Sequence, residues 1–244
     1  ILTSANLTLN GTAQINAGGY FNQSPIFFFI STLKYNTANI FGRGLEWSHN
    51  GVGTIGTTPG YPNHVQLSNN TTLNYNNGTP LNKAAAGNLT IDSGSSFYMD
   101  YGGGASGGSL TVAGNVVING NFTLGNAVGD DLIVGGSWTR AGSFNPNSRL
   151  VTFNGSATQT ITGATTFDYL TINNASNVTL ASPVTNNFTL DFTNGKLVLG
   201  SNNFTIGSGG TITNPTLAKY VVTNGTGKLI KVGVSAPIIF PMFG

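Results

Sequence analysis

The chain has no cysteine, which excludes a disulfide framework and any thiolate metal site. Charge is also scarce. Nine Lys/Arg and seven Asp/Glu make up 7% of 244 residues, against roughly a quarter in an ordinary globular protein. The basic residues are scattered, and only Lys228 and Lys231 lie close together. No basic stripe exists, so nucleic acid and anionic lipid are excluded as partners. The longest apolar run, Ile26 to Ile30, is too short to span a bilayer, and no membrane insertion is expected. No segment carries a 3.6-residue apolar period over ten or more residues, which argues against helices. A signal-peptide pattern is missing, and the chain starts at Ile1 and ends in Pro-Met-Phe-Gly. It reads as a trimmed segment of a longer parent.

What is present is a short-strand grammar. The stretch Leu110 to Leu124, LTVAGNVVINGNFTL, contains three apolar beats: Leu110-Thr111-Val112, Val116-Val117-Ile118 and Phe122-Thr123-Leu124. In each, the outer residues face one way and the middle residue the other. Gly114-Asn115 and Asn119-Gly120-Asn121 separate them, residue types that tolerate the positive φ of tight corners. Strands of three residues cannot stand alone and need similar strands above and below.

The rhythm recurs along the chain. Leu89, Leu110 and Leu132 are 21 and 22 residues apart; Leu170, Phe188, Phe204 and Tyr220 are 18, 16 and 16 apart. Two or three beats per period of roughly 16–22 residues fit one coil of a β-helix. A β-sandwich would need longer strands and hairpin turns. The expected fold is therefore all-β, a right-handed parallel β-helix (β-solenoid), as one domain over 1–244. Residues 19–64 break the rhythm with Phe27, Phe28, Phe29, Tyr35, Phe41 and Trp47, and read as an irregular aromatic-rich N-terminal cap or insertion. Regular coils occupy 65–236. The apolar segment 237–244 caps the helix or leads into a further domain. At roughly 20 residues per coil, about twelve coils would make a rod of roughly 50–60 Å.

Motifs for chemistry are weak. Gly51-Val52-Gly53-Thr54-Ile55-Gly56 matches G-x-G-x-x-G, but Thr57-Thr58-Pro59-Gly60 follows and forbids the helix that a dinucleotide site requires. Gly102 to Gly108 reads as a loop. Glu46, Ser48, His49 and the later His64 read as polar residues of irregular loops, because no nucleophile-elbow motif surrounds Ser48. Two histidines without further ligands make a poor zinc site. Asp130-Asp131 is the only adjacent acidic pair; Asp92 and Asp131 could approach if coils stack, as a catalytic or Ca²⁺ site would require. The N-x-[ST] pattern at Asn6, Asn88, Asn121, Asn187 and Asn203 matches glycosylation sequons, but a corner Asn followed by an inward apolar residue and an outward Thr writes it automatically. Corner Asn residues could also stack into amide ladders. Thr90, Thr111, Thr123, Thr171, Thr189 and Thr205 are expected to point outward. They do not form one Thr-x-Thr face of the kind that could order ice.

The segments YNTANIFGRGLEWS, PGYPNHVQLSNNTTLN, AAAGNLTIDSGS, LTVAGNVVING, GGSWTRAGSFNPNSRLVTFNGSATQTITG, TTFDYLTINN and FPMFG together resemble the β-helical repeat regions of large secreted surface proteins of Bacteroidetes-type bacteria. The resemblance covers residues 35–244. It implies export by the type IX system and a location at or beyond the cell surface, and it carries over no catalytic residue.

These observations lead to the expectation of a non-enzymatic, extracellular structural or adhesive module. No catalytic residue, cofactor or metal is assigned. Surface glycans, other cells or a second copy of the chain are the expected partners. One alternative is a filament subunit joined end to end. Its docking residues would be Pro25, Ile26, Phe27, Phe28, Phe29 and Ile30 at one end and Ile238, Ile239, Phe240 and Phe243 at the other. The other alternative is a polysaccharide-binding or polysaccharide-degrading β-helix.

Overall fold

A computed structural model describes residues 7–75, 82–102 and 107–233. The expected contacts of Ile238, Ile239, Phe240 and Phe243 lie outside these residues. Among the described residues the structure is all-β, with a single 3-10 turn at Leu45–Trp47. Among the described residues no helix is long and apolar enough to cross a membrane.

The stretch from Leu110 to Leu124 shows how the chain is built. Its three beats form the strands Leu110–Val112, Val116–Ile118 and Asn121–Thr123. Each lies on a different face of a stack. The first face holds seven strands, from Lys83–Ala85 to Thr211–Thr213. The second holds ten, from Thr12–Asn16 to Val221–Val222. The third holds five, from Ile40–Gly42 to Ser143–Asn145. Four further strands, Thr165–Phe167 to Leu229–Lys231, take the corresponding place in the later coils. Successive coils pair in parallel and in register: Leu110 with Leu132, Val116 with Trp138, Phe122 with Phe144. This is a parallel β-solenoid of about ten turns.

Alternation decides which residues enter the core. Leu110, Val112, Val116, Ile118, Phe122 and Leu124 are fully or almost fully buried, while Thr111, Val117 and Thr123 between them point outward. Each buried Leu, Ile or Phe contributes about 1.5–3 kcal/mol relative to exposure. The aromatic rings form a chain of contacts through the interior. Trp47 meets Tyr75, Tyr75 meets Phe97, Phe97 meets Phe122 at 5.0 Å, Phe122 meets Phe144, and Phe144 meets Phe167. Tilted and edge-on rings at these distances add attraction beyond burial.

Two expectations need correction. The coils are fewer and more uneven than twelve of about 20 residues. Leu33 pairs with Val65 and Leu89 with Val116, returns of 32 and 27 residues. Gln159 pairs with Val178, a return of only 19. Ten strands separated by nine steps of about 4.8 Å give a stack about 43 Å long. The spacings read from sequence also mixed faces. Leu110 does pair with Leu132, but Leu89 pairs with Val116, and Leu170 pairs with Leu190, not with Phe188.

The irregular stretch 19–64 is part coil and part insertion. Thr32–Asn36 lies in the ten-stranded face between Thr12–Asn16 and His64–Leu67, and Ile40–Gly42 opens the third face. The insertion proper is the long return from Gly42 to His64.

Candidate functional site

The insertion is held to the stack by a buried polar cluster. Glu46 is fully buried. Its Oε1 accepts the Tyr35 hydroxyl at 2.9 Å and the Gly44 N–H at 2.7 Å, while Oε2 has no hydrogen-bond partner. Burial pushes the Glu46 carboxyl above the usual carboxylate range, against the opposing pull of these hydrogen bonds and of Arg43. Arg43 donates from Nε to the Tyr75 carbonyl at 2.6 Å and from Nη1 to the Trp47 carbonyl at 2.8 Å. Trp47 donates its indole N–H to the Ala84 carbonyl at 2.8 Å. Lys83, almost fully buried, donates to the Ser48 carbonyl at 2.8 Å. Burial, with a smaller contribution from Arg43, lowers the Lys83 ammonium to about 8. Burial likewise raises the Tyr35 and Tyr75 phenols well above their ordinary value. Expected in an irregular loop, Glu46 belongs instead to an interior clamp. Glu46 bonds to the nearby Tyr35 and Gly44, but the rest of the clamp comes from the next coil, so only the pattern Arg43-Gly44-Leu45-Glu46-Trp47, charged residues beside aromatics, hinted at burial.

A second polar system runs along the corner before the ten-stranded face. His64 Nδ1 accepts the Asn88 N–H at 3.0 Å, Asn88 Oδ1 the Asn115 N–H at 2.8 Å, and Asn115 Oδ1 the Ser137 N–H at 2.8 Å. Ser137 Oγ then accepts the Thr160 N–H at 3.1 Å, and the Thr160 hydroxyl meets that of Thr179. Each side chain thus caps the backbone of the next coil. Shorter columns link Asn16, Asn36 and Ser68, and Ser96, Asn121 and Ser143. The expected amide ladder is therefore mainly a side-chain-to-backbone ladder. It engages the sequon residues Asn88, Asn121 and Asn203, the last through the Lys228 N–H.

The acidic residues are drawn into the same work. Asp130 is fully buried and accepts the N–H groups of Gly108 and Ala127 at 2.7 and 2.9 Å. Asp131 accepts the Leu150 N–H, Asp168 the Ser148 N–H and the Asn187 amide, and Asp92 the Gln66 amide. Asp130 and Asp131 thus serve different backbone segments, and no group of three or more His, Cys, Asp or Glu suited to a metal forms among the described residues. His64 lines a shallow depression of about 260 Å³ with Thr32, Gln66, Asn88 and Thr90. His49 sits edge-on to Tyr61.

The apolar run at the N-terminal side is divided. Phe27 is fully buried in the core and Pro25 is buried; Ile26 is half-buried; Phe28, Phe29 and Ile30 are exposed. Only the last three present a surface that another molecule could reach. The Gly51–Gly56 motif lies in the insertion, without a helix behind it.

No family model, curated protein or solved structure matches the chain.

Proposed function

We propose that the chain is a non-catalytic β-helical rod displayed outside the cell, with a structural and adhesive role. The observation that carries this reading is the destination of its polar side chains. Asn88, Asn115, Ser137, Asp130, Asp131 and Asp168 spend their hydrogen bonds on backbone N–H groups, most of them in neighbouring coils. A catalytic acid or base needs a free, tuned group facing substrate; these groups hold the stack together.

The outer surface supports the adhesive half of the reading. It is made of Thr, Asn, Ser and Gly with few charges. Such a surface offers many weak hydrogen bonds and little electrostatic selection of partners. The resemblance to surface-protein repeats of Bacteroidetes-type bacteria supports a bacterial exterior and type IX export.

Display of the chain on a non-adherent bacterial cell tests this directly. Displaying cells are expected to attach to polysaccharide-coated or cell-coated surfaces several-fold better than cells displaying an unrelated β-rich domain. Equal attachment by both would overturn the adhesive role.

A further inference from the structure

The corner ladder consumes acceptors and leaves donors. His64 Nδ1 and the Oδ1 atoms of Asn88 and Asn115 each accept a backbone N–H group of the following coil. Those bonds set the orientation of each side chain. An imidazole that accepts at Nδ1 carries its proton on Nε2, and an amide that accepts at Oδ1 has its NH2 group left to donate. Among the described residues, His64 Nε2 and Asn88 Nδ2 have no hydrogen-bond partner, and neither have the hydroxyls of Thr32 and Thr90. These four residues line the depression of about 260 Å³. Lys34 stands beside it. Lys34 pairs in register with Gln66, and Gln66 with Thr90, so their half-buried side chains leave the same face in one row. The Lys34 ammonium makes no hydrogen bond or ion pair among the described residues. Gln66 is held from the other side, where Asp92 Oδ2 accepts its amide at 2.7 Å.

We propose that this depression is a binding site for a carboxylate, carried either by a small acid or by an acidic sugar of a polysaccharide. Almost everywhere else the polar side chains are spent on the stack; here a cluster of donors is not. An ionised carboxylate only accepts, through two oxygens with about four lone-pair sites. It therefore matches an imidazole N–H, an amide NH2, two hydroxyls and an ammonium, and hydrogen bonds to an ionised acceptor are the stronger kind. The charge balance selects a monoanion. Lys34 is the one cation beside the depression, and the Asp92 carboxylate lies beyond Gln66, which disfavours phosphate and sulfate dianions. A metal ion does not suit the site, because the free ring nitrogen of His64 carries the proton and Lys34 repels a cation. The ladder holds His64 and Asn88 in place before binding, so little freedom is lost on association.

The polysaccharide source rests on the adhesive reading above; the carboxylate site itself does not. Amide NMR of the ¹⁵N-labelled full chain, titrated at constant ionic strength with galacturonate, polygalacturonate or inorganic phosphate, tests it. Galacturonate is expected to shift the signals of Thr32, His64, Thr90 and the Asn88 NH2 group at millimolar concentration. Asn88→Asp keeps an oxygen for the Asn115 N–H but puts a negative charge where the free NH2 was, and is expected to abolish the shifts. Lys34→Gln is expected to weaken binding by about fivefold. Both variants should keep the wild-type circular dichroism, since neither removes a rung of the ladder. Tighter binding of polygalacturonate than of galacturonate, counted per carboxylate, places the ligand on a polymer, and equal binding places it on a small acid; either result supports the site. No shifts with either probe at about 20 mM carboxylate, tighter binding of phosphate than of galacturonate, or unchanged binding in both variants overturns it. If displayed cells still adhere in that case, the site alone has failed. If the site binds but displayed cells do not adhere, the adhesive reading alone has failed.

Discussion

Single residues show where local rules and tertiary context diverge. Asn186 lies on the third face between Phe167 and Ile206. It is fully buried, and neither its amide nitrogen nor its oxygen has a hydrogen-bond partner. A buried unpaired amide costs about 1–3 kcal/mol, so Asn186→Leu is expected to raise stability by about that amount, read from urea midpoints. The clamp makes a pH prediction. Glu46 has a raised folded value, so the folded chain holds its proton longer than the unfolded one, and stability falls as pH rises above 4.5. Lys83 is lowered from 10.5 to about 8, so the unfolded chain holds the extra proton and stability rises from about pH 8. Tyr35 and Tyr75 reverse this above 10.0, where the unfolded phenols ionise first. Glu46→Gln is expected to remove the fall above pH 4.5, and Lys83→Met the rise between about 8 and 10, in urea midpoints measured across the range. None of this was legible in the sequence, because Arg43, Trp47 and Ser48 find their partners Tyr75, Ala84 and Lys83 on the next coil, 32 to 37 residues further along the chain. Phe188 misled in the opposite direction. It continues the alternation of Leu190 and Phe192, but the strand begins at Thr189. Alternation carries no information across a corner, and the ring ends up outside.

At the scale of elements, the short beats were readable because alternation and corner residues agree within each strand. The three apolar beats from Leu110 to Leu124 form three strands, with the third starting one residue earlier than its beat. The outward Thr residues expected at 90, 111, 123, 171, 189 and 205 all face outward. They are divided among the faces, since Thr90, Thr111 and Thr123 sit on three different sheets. Return lengths were not readable. A coil tolerates a long loop because loop closure grows only slowly with length; the sequence shows where alternation resumes, at Val65 beside the strand start at His64, but not that Thr32–Asn36 already belongs to the ladder. That insertion is secured at a few points, and Trp47 is one of them. Trp47→Phe keeps the ring but leaves the Ala84 carbonyl without its indole donor. A cost of about 1–3 kcal/mol is expected. Hydrogen exchange should speed up over residues 45–63 and stay unchanged from Leu110 onward, because coils in a solenoid feel mainly their neighbours. Faster exchange throughout would mean that the insertion supports the whole stack.

The whole molecule is a stack whose backbone ladder, aromatic chain and corner caps all run along one axis. The ten-stranded face sets its length at about 43 Å. Electron micrographs of the purified chain at high concentration are expected to show separate rods of that length. Long fibres would instead favour the filament alternative, with Phe28, Phe29 and Ile30 as the exposed apolar residues at the N-terminal side. The functional claim is that such a rod binds without turning over what it binds. The direct measurement is incubation of the purified chain with an insoluble polysaccharide to which displaying cells attach, followed by assay of both sedimented protein and soluble reducing ends. The expected result is protein in the pellet and no release of reducing ends with time. Steady release that disappears in Asp131→Asn, a change that keeps an oxygen for the Leu150 N–H, would contradict it.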